Sequence, residues 1–267
     1  LFVALTGLPF IGLVLLQPDL GTSTVFVVLA LALLVWHGLP LKIFIMMMLP
    51  LLSMIISIKP WIVLPLIFVS FLWLWRARVI WVGLILLIIL CVAGSVIAPM
   101  AWDQLKPYQQ KRLTIFLDPS ADPLCAGYQV IQSKVAVGSG GITGQGFLQG
   151  TQTQLRFLPE QHTDFIFALA GEEFGFVGVL IIILLLLIYG WRGYLAAMRT
   201  KSTFMGAVAA GMTTLILYHA IVNIGMAIGI LPVTGLPLSF ISYGRSFLIT
   251  CMVGTGMILS AGLHRRE

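Results

Sequence analysis

The strongest constraint on this chain is a succession of apolar stretches, each close to the length needed to cross a bilayer. They fall at about 2–16, 20–37, 41–58, 61–75, 79–98, 165–189, 203–226 and 245–263. About 20 residues at 1.5 Å rise per residue cross the hydrocarbon layer. Across the 267 residues, 60% are apolar and only 9% are charged, against about 25% charged in a soluble domain. There is too little polar side chain to cover a water-exposed surface. The expected fold is therefore all-α, a polytopic transmembrane helix bundle of about eight spans. It forms one domain over 1–267, with a long extracytoplasmic loop at 99–164.

The net charge of +6 does not point to nucleic acid, because no basic stripe with interleaved aromatics exists. The cations instead sit between apolar segments and report topology. With His264, Arg265 and Arg266 cytoplasmic, alternation puts Lys42, Arg76, Arg78, Arg192, Arg199 and Lys201 on the same side. The acids, Glu267 excepted, then gather on the opposite side or at its membrane edge. Cys91, Cys125 and Cys251 show no metal-binding spacing, and Cys91 and Cys251 read as small core residues within apolar runs. Leu1 opens directly into an apolar run with no cleavage signal before it, which reads as a fragment rather than a signal peptide.

The loop at 99–164 carries Phe, Leu, Tyr and Val throughout, so it should fold onto the bundle rather than merely connect. Gly138-Ser139-Gly140-Gly141 and Gly144-x-Gly146 invite a phosphate-loop reading. The spacing fails the dinucleotide fingerprint and lacks a GK[ST] ending. A glycine-rich turn permitting close backbone approach is the plainer reading, although its N–H groups could still meet a diphosphate. Asp118-Pro119 and Asp122-Pro123 read as turn starters. Arg112 and Lys134 are loop cations facing a membrane surface, suited either to solvent or to an anionic head group.

Pro159-Glu160-Gln161-His162-Thr163-Asp164 runs into an apolar helix. Thr163 is the expected N-cap, placing Asp164 in the first helical turn. There Asp164 either complements the helix dipole or acts as a base at the water–lipid boundary. A regular helix from Asp164 would put Glu172 about 80° and Glu173 about 180° around from it. Glu172 would then share the Asp164 side, and Glu173 would face a neighbouring helix. His162 is ambiguous between cap, packing residue and proton carrier. Asp19, in Gln17-Pro18-Asp19-Leu20-Gly21-Thr22, caps a helix or faces the same outer side. His219 and Asn223, four apart, suit interhelical hydrogen bonding, and Pro237, Ser242, Tyr243 and Gly244 mark a break between spans.

Together these segments resemble the SEDS family of cell-wall polymerases, and its RodA branch in particular. The matching stretches are Gln17 to Thr22, Gly127-Tyr128, Gln132-Ser133-Lys134, Gly138 to Gly141 and Gly150-Thr151-Gln152. They continue through Phe157 to Glu173, Asn223 to Met226, Gly229 to Pro232 and Ile241 to Gly244. The sequence departs from the family pattern at Ser239, where proline is usual, and at Arg245, where glycine is usual. The resemblance implies a peptidoglycan glycosyltransferase of the bacterial inner membrane that polymerises lipid II and releases undecaprenyl diphosphate. It also implies a class B penicillin-binding protein as partner. The family's essential aspartate maps onto Asp164, with Asp19, Arg112 and Lys134 implied in the same polar cavity; His162 and Glu172 are further candidate substrate-binding residues. A divalent cation, Mg or Mn, at Asp19 or Asp164 is as coherent with that chemistry as cationic side chains alone. The competing classes are a lipid II flippase, which performs no chemistry, and a scaffold for the penicillin-binding protein.

Overall fold

A computed structural model describes residues 20–40, 110–111, 114–116, 126–150 and 162–263. The chain divides into two compact units, one formed by Leu1–Trp36 with Lys111–Glu267 and the other by His37–Gln110. The first unit holds five described helices: α1 (Leu20–Trp36), α2 (Ala126–Ser139), α3 (Ile166–Arg199), α4 (Thr203–Ala227) and α5 (Arg245–Leu263). The apolar segments expected at 41–58, 61–75 and 79–98, and the one at 2–16, lie outside the described residues.

Three of these helices, α3, α4 and α5, are long and apolar enough to cross a membrane. α4 is the hub, packed against α1, α2, α3 and α5. Its apolar stretch is half buried, whereas that of α3 is only 17% buried. Leu180, Ile181, Leu184, Leu185, Leu187 and Ile188 of α3 are exposed, the surface a bilayer would cover. Small residues let the helices approach closely, as expected where the hydrophobic effect cannot drive association. A Cβ on Gly190 would meet Leu217, one on Gly193 would meet Thr213, and one on Gly254 would meet Met212. Hydroxyl pairs add polar links between spans: Tyr194 with Thr214 at 2.8 Å and Tyr189 with Thr255 at 3.0 Å.

The ends of α4 follow from sequence. Ser202 is its N-cap, with the hydroxyl accepting from the Met205 N–H at 3.3 Å. At the other end Gly229 takes a positive φ of 75°. Its N–H bonds to the Met226 carbonyl, and the Ile230 N–H bonds to the Gly225 carbonyl at 2.7 Å. That is a Schellman closure, which needs a residue free to be left-handed. The Ser133 hydroxyl of α2 donates to the Ala227 carbonyl at 2.7 Å, so a second element satisfies another terminal acceptor.

α3 differs from the sequence expectation in two ways. It continues ten residues beyond 189, so Arg192 lies on the helix rather than in a connection. It is also broken at Gly175, whose φ of 64° and ψ of −164° are not helical. In an unbroken helix the Phe176 and Val177 N–H groups would donate to the Glu172 and Glu173 carbonyls. Here they donate to Gly141 and Ile142 at 2.9 and 3.1 Å, while those two carbonyls accept from Gln145 and Gly146 at 3.0 and 3.1 Å. The glycine-rich turn after α2 is spliced into the helix, replacing each lost bond with another. Cβ atoms on Gly140, Gly144 and Gly175 would overlap backbone atoms across this junction. Close backbone approach is thus what these glycines provide. The N–H groups of Gly144, Gln145 and Gly146 all bond to carbonyls, Gly144 to that of Gly140 at 2.8 Å. The expectation that N–H groups of this turn could meet a diphosphate fails for these three.

Candidate functional site

The described part of the 99–164 loop folds onto the bundle, as its apolar content required: α2 packs on α3 and α4. The site forms where the start of α3 meets the end of α4 and the 228–244 connection.

Asp164 is not in a helix. His162 to Phe165 form a turn, α3 begins at Ile166, and its N-cap is Phe165 without a side-chain cap bond. Thr163 as N-cap is therefore corrected, and the reason is tertiary. Three consecutive turn carbonyls are claimed from outside. The Tyr243 N–H donates to His162 O at 2.9 Å. The Ser242 hydroxyl donates to Thr163 O at 2.7 Å, and Asn223 Nδ2 donates to Asp164 O at 2.9 Å. The first helix-end bonds instead converge on Phe165 O, from Ala168 at 3.0 Å and Leu169 at 3.2 Å. The half-buried Asp164 side chain lies over Gly235, where a Cβ would sit 3.6 Å from Oδ2.

The 228–244 connection is more than a break between spans. It re-enters the bundle: Leu238 and Ser239 are fully buried, and the Ser239 hydroxyl donates to Ile216 O at 2.8 Å. Ile216 precedes the end of α4 by eleven residues, about 16 Å along the helix. A proline here could not make this bond, so the departure at Ser239 carries its own local contact. Phe240 takes a left-handed φ of 66° and packs edge-on against Tyr189. Ser242 also accepts from the Leu238 N–H at 2.7 Å, closing the turn.

The remaining expected residues fall as follows. Lys134 is exposed on α2, with its aliphatic arm against Gly229 at the end of α4, where a cation also suits the helix dipole. It thus meets the same connection as Asp164, but at Gly229 rather than Gly235. His162 is exposed, and its backbone carbonyl is what the turn uses. Glu172 and Glu173 are both buried. Their assignment to opposite sides assumed a regular helix from Asp164, which the turn at 162–165 removes. Glu173 accepts from the Leu148 N–H through its carboxylate, while its Oε1 has no partner. It holds the glycine-rich turn in place. Glu173→Ala should therefore lower stability by about 1–3 kcal/mol, whereas Glu173→Gln, which keeps an acceptor, should not; thermal unfolding checks both. Asp19 and Arg112 lie outside the described residues. Arg245 opens α5 at an exposed position, with its guanidinium 3.3 Å from the Tyr243 hydroxyl. Cys251 is a buried free thiol, as a core residue should be.

Among the described residues no three His, Cys, Asp or Glu side chains come together. There, Asp164 would offer a divalent cation a single carboxylate. Sequence reasoning underrated Asn223 and Ser242, read as interhelical glue and as part of a break. The available signal was a buried-span Asn four residues from His219, ahead of a Gly- and Pro-rich connection.

These helices, apolar toward lipid and broken by a re-entrant connection, define an integral membrane protein of the polytopic helical class. Residues 60–267 match the FtsW/RodA/SpoVE family, described as cell cycle protein, and the chain belongs to that family. It is 50% identical over 169 residues to the peptidoglycan glycosyltransferase MrdB of Escherichia coli K12, covering 63% of this chain and 46% of that protein. It is 47% identical over 156 residues to the peptidoglycan glycosyltransferase RodA of Treponema pallidum, covering 58% and 36%. The stage V sporulation protein E of Bacillus subtilis is 42% identical over 160 residues, covering 60% and 43%. The chain thus spans less than half the length of these curated relatives. A solved chain described under "Structural coordination of polymerization and crosslinking by a peptidoglycan synthase complex" matches with a TM-score of 0.67 and 29% identity, covering 99% of this chain and 62% of that one.

Proposed function

We propose that this chain belongs to a RodA-type peptidoglycan glycosyltransferase that polymerises lipid II at the outer face of the bacterial inner membrane. The observation that carries the reading is the turn at 162–165. Three tertiary hydrogen bonds hold it out of the helix and set the Asp164 carboxylate over Gly235. A scaffold would not need a carboxylate fixed in this way.

In the proposed reaction the C4 hydroxyl oxygen of one sugar attacks the anomeric carbon of another. Asp164 takes the hydroxyl proton as the bond forms. The bond from the anomeric carbon to the diphosphate oxygen breaks, and undecaprenyl diphosphate leaves with the electron pair. One carboxylate suffices for a single inverting displacement, unlike hydrolases that use two. Lys134, exposed on α2, is the proposed contact for the leaving diphosphate, with Arg112, Asp19, His162 and Glu172 as further candidate contacts. A divalent cation bound at Asp164 would supply further neutralisation of that diphosphate. The class B penicillin-binding protein is the proposed partner that crosslinks the product. This is consistent with the description of the matching solved chain, which speaks of coordination of polymerization and crosslinking by a peptidoglycan synthase complex.

A transport reading draws on the same break in α3 and the re-entrant connection, features also used to move substrates. In vitro polymerisation of purified lipid II by the full-length protein with its partner separates the two readings. Polymer formation is expected, and its absence under conditions that move lipid II across vesicles would overturn the assignment.

The outer placement of the site rests on the basic residues at the opposite ends of the spans. A cysteine introduced at Ser120 should react with an impermeant thiol reagent in intact cells, and one at Lys201 should not, in a background lacking the native cysteines. Labelling only at Lys201 would reverse the topology.

A further inference from the structure

We infer that Asn223, together with Ser242, is a positioning residue that sets the Asp164 carboxylate for proton transfer; this rests on the reading of Asp164 as the base. Asn223 is fully buried in α4. Its Nδ2 donates to two carbonyls from separate segments, Asp164 O at 2.9 Å and Leu236 O at 2.8 Å. A flipped amide would set Oδ1 against those two carbonyl oxygens, so the chemistry fixes its orientation. The amide therefore clamps the acid and the residue beside Gly235, and Gly235 is what the carboxylate lies over.

Asn223 Oδ1 is buried with no hydrogen-bond partner. A buried orphan acceptor is costly, and an apolar side chain could fill this space between helices without one. What the amide alone supplies is a pair of donors that holds two backbone segments at a set separation. Ser242 repeats the arrangement one residue earlier, tying Thr163 O to the Leu238 N–H through one hydroxyl. The catalytic turn is thereby joined to the re-entrant connection at two successive carbonyls, 163 and 164. The accepting carbonyls are those of Asp164 itself and of the residue before it.

Ser239 provides the comparison. It sits in the same connection and is also fully buried, but its hydroxyl bonds to Ile216 O, away from the turn. Ser239→Ala loosens the connection without releasing the 162–165 carbonyls.

The test measures kcat and KM for lipid II polymerisation, and thermal stability, in the full-length protein with its partner. Asn223→Ala should lower kcat by about 10-fold to 10²-fold, the scale of a misplacement near 1 Å, with KM within about twofold. Ser239→Ala should lose comparable thermal stability while keeping kcat within about twofold of the parent. Adding Asn223→Ala to Asp164→Asn should cause no further loss, because the positioned group is already gone. Should Asn223→Ala fail to fold, Ser242→Ala, which frees Thr163 O, carries the same kcat expectation. If Asp164→Asn is inactive but Asn223→Ala and Ser242→Ala lose no more kcat than Ser239→Ala, positioning is wrong and the base assignment stands. If Asp164→Asn polymerises normally, the base assignment falls and this inference falls with it.

Discussion

Glycan synthesis by the full-length protein should fall by about 10²-fold or more on Asp164→Asn. The substitution preserves shape and removes the proton acceptor. Folding should persist, because the tertiary bonds from Asn223, Ser242 and Tyr243 go to the backbone carbonyls of residues 162 to 164, which the substitution keeps. Polymer yield from purified lipid II, read beside thermal stability, separates the two effects. Near-normal polymer from a well-folded Asn variant would end the general-base assignment and favour transport or scaffolding.

A comparably large effect, on folding instead of catalysis, is expected at Gly175. Its backbone lies in a region that essentially only glycine occupies, and a Cβ would overlap Gly144 N and approach Ile142 O. Gly175→Ala therefore has to strain the backbone and also part the splice between the glycine-rich turn and α3. A loss of about 3 kcal/mol or more follows from adding backbone strain to overpacking. The failure should be local first. Phe176, Val177, Gln145 and Gly146 N–H groups lose their partners together, so hydrogen exchange should accelerate at all four. Gly138, exposed in α2 with open space around its Cβ position, is the control. Gly138→Ala should be neutral or stabilising by up to about 1 kcal/mol. Equal behaviour of the two variants would mean that the splice contributes nothing to stability.

Much of the fold was legible because bilayer solvation acts on composition alone. The expected segments at 20–37, 203–226 and 245–263 match α1, α4 and α5 within a residue, since their ends follow from where apolar sequence stops. Ser202 as N-cap and Gly229 as C-terminal turn were not singled out from the sequence, although both are local chemistry. The glycine-rich turn was legible in kind, as a place of close backbone approach. Its partner, the interior of α3, was not. No residue between 166 and 199 other than glycine signals a break, and glycine also packs helices together, as Gly190 and Gly193 do.

The candidate site shows the same division. Sequence and resemblance singled out Asp164 by its place between a polar loop and an apolar helix. They also set it in the first turn of that helix, because Thr163 is a good cap residue and nothing nearby opposes helix formation. What removed it from the helix lies 59 to 81 positions away in the chain: the amide of Asn223, the hydroxyl of Ser242 and the N–H of Tyr243. By itself the sequence determined that this chain lives in a membrane, where α1, α4 and α5 fall and which carboxylate stands at the start of α3. Those properties sum over local residues. Only the tertiary structure decided that Asp164 sits in a pinned turn over Gly235, and that α3 is broken beyond two buried acids. Both depend on backbone carbonyls choosing between a helical donor nearby and a tertiary donor far away in sequence.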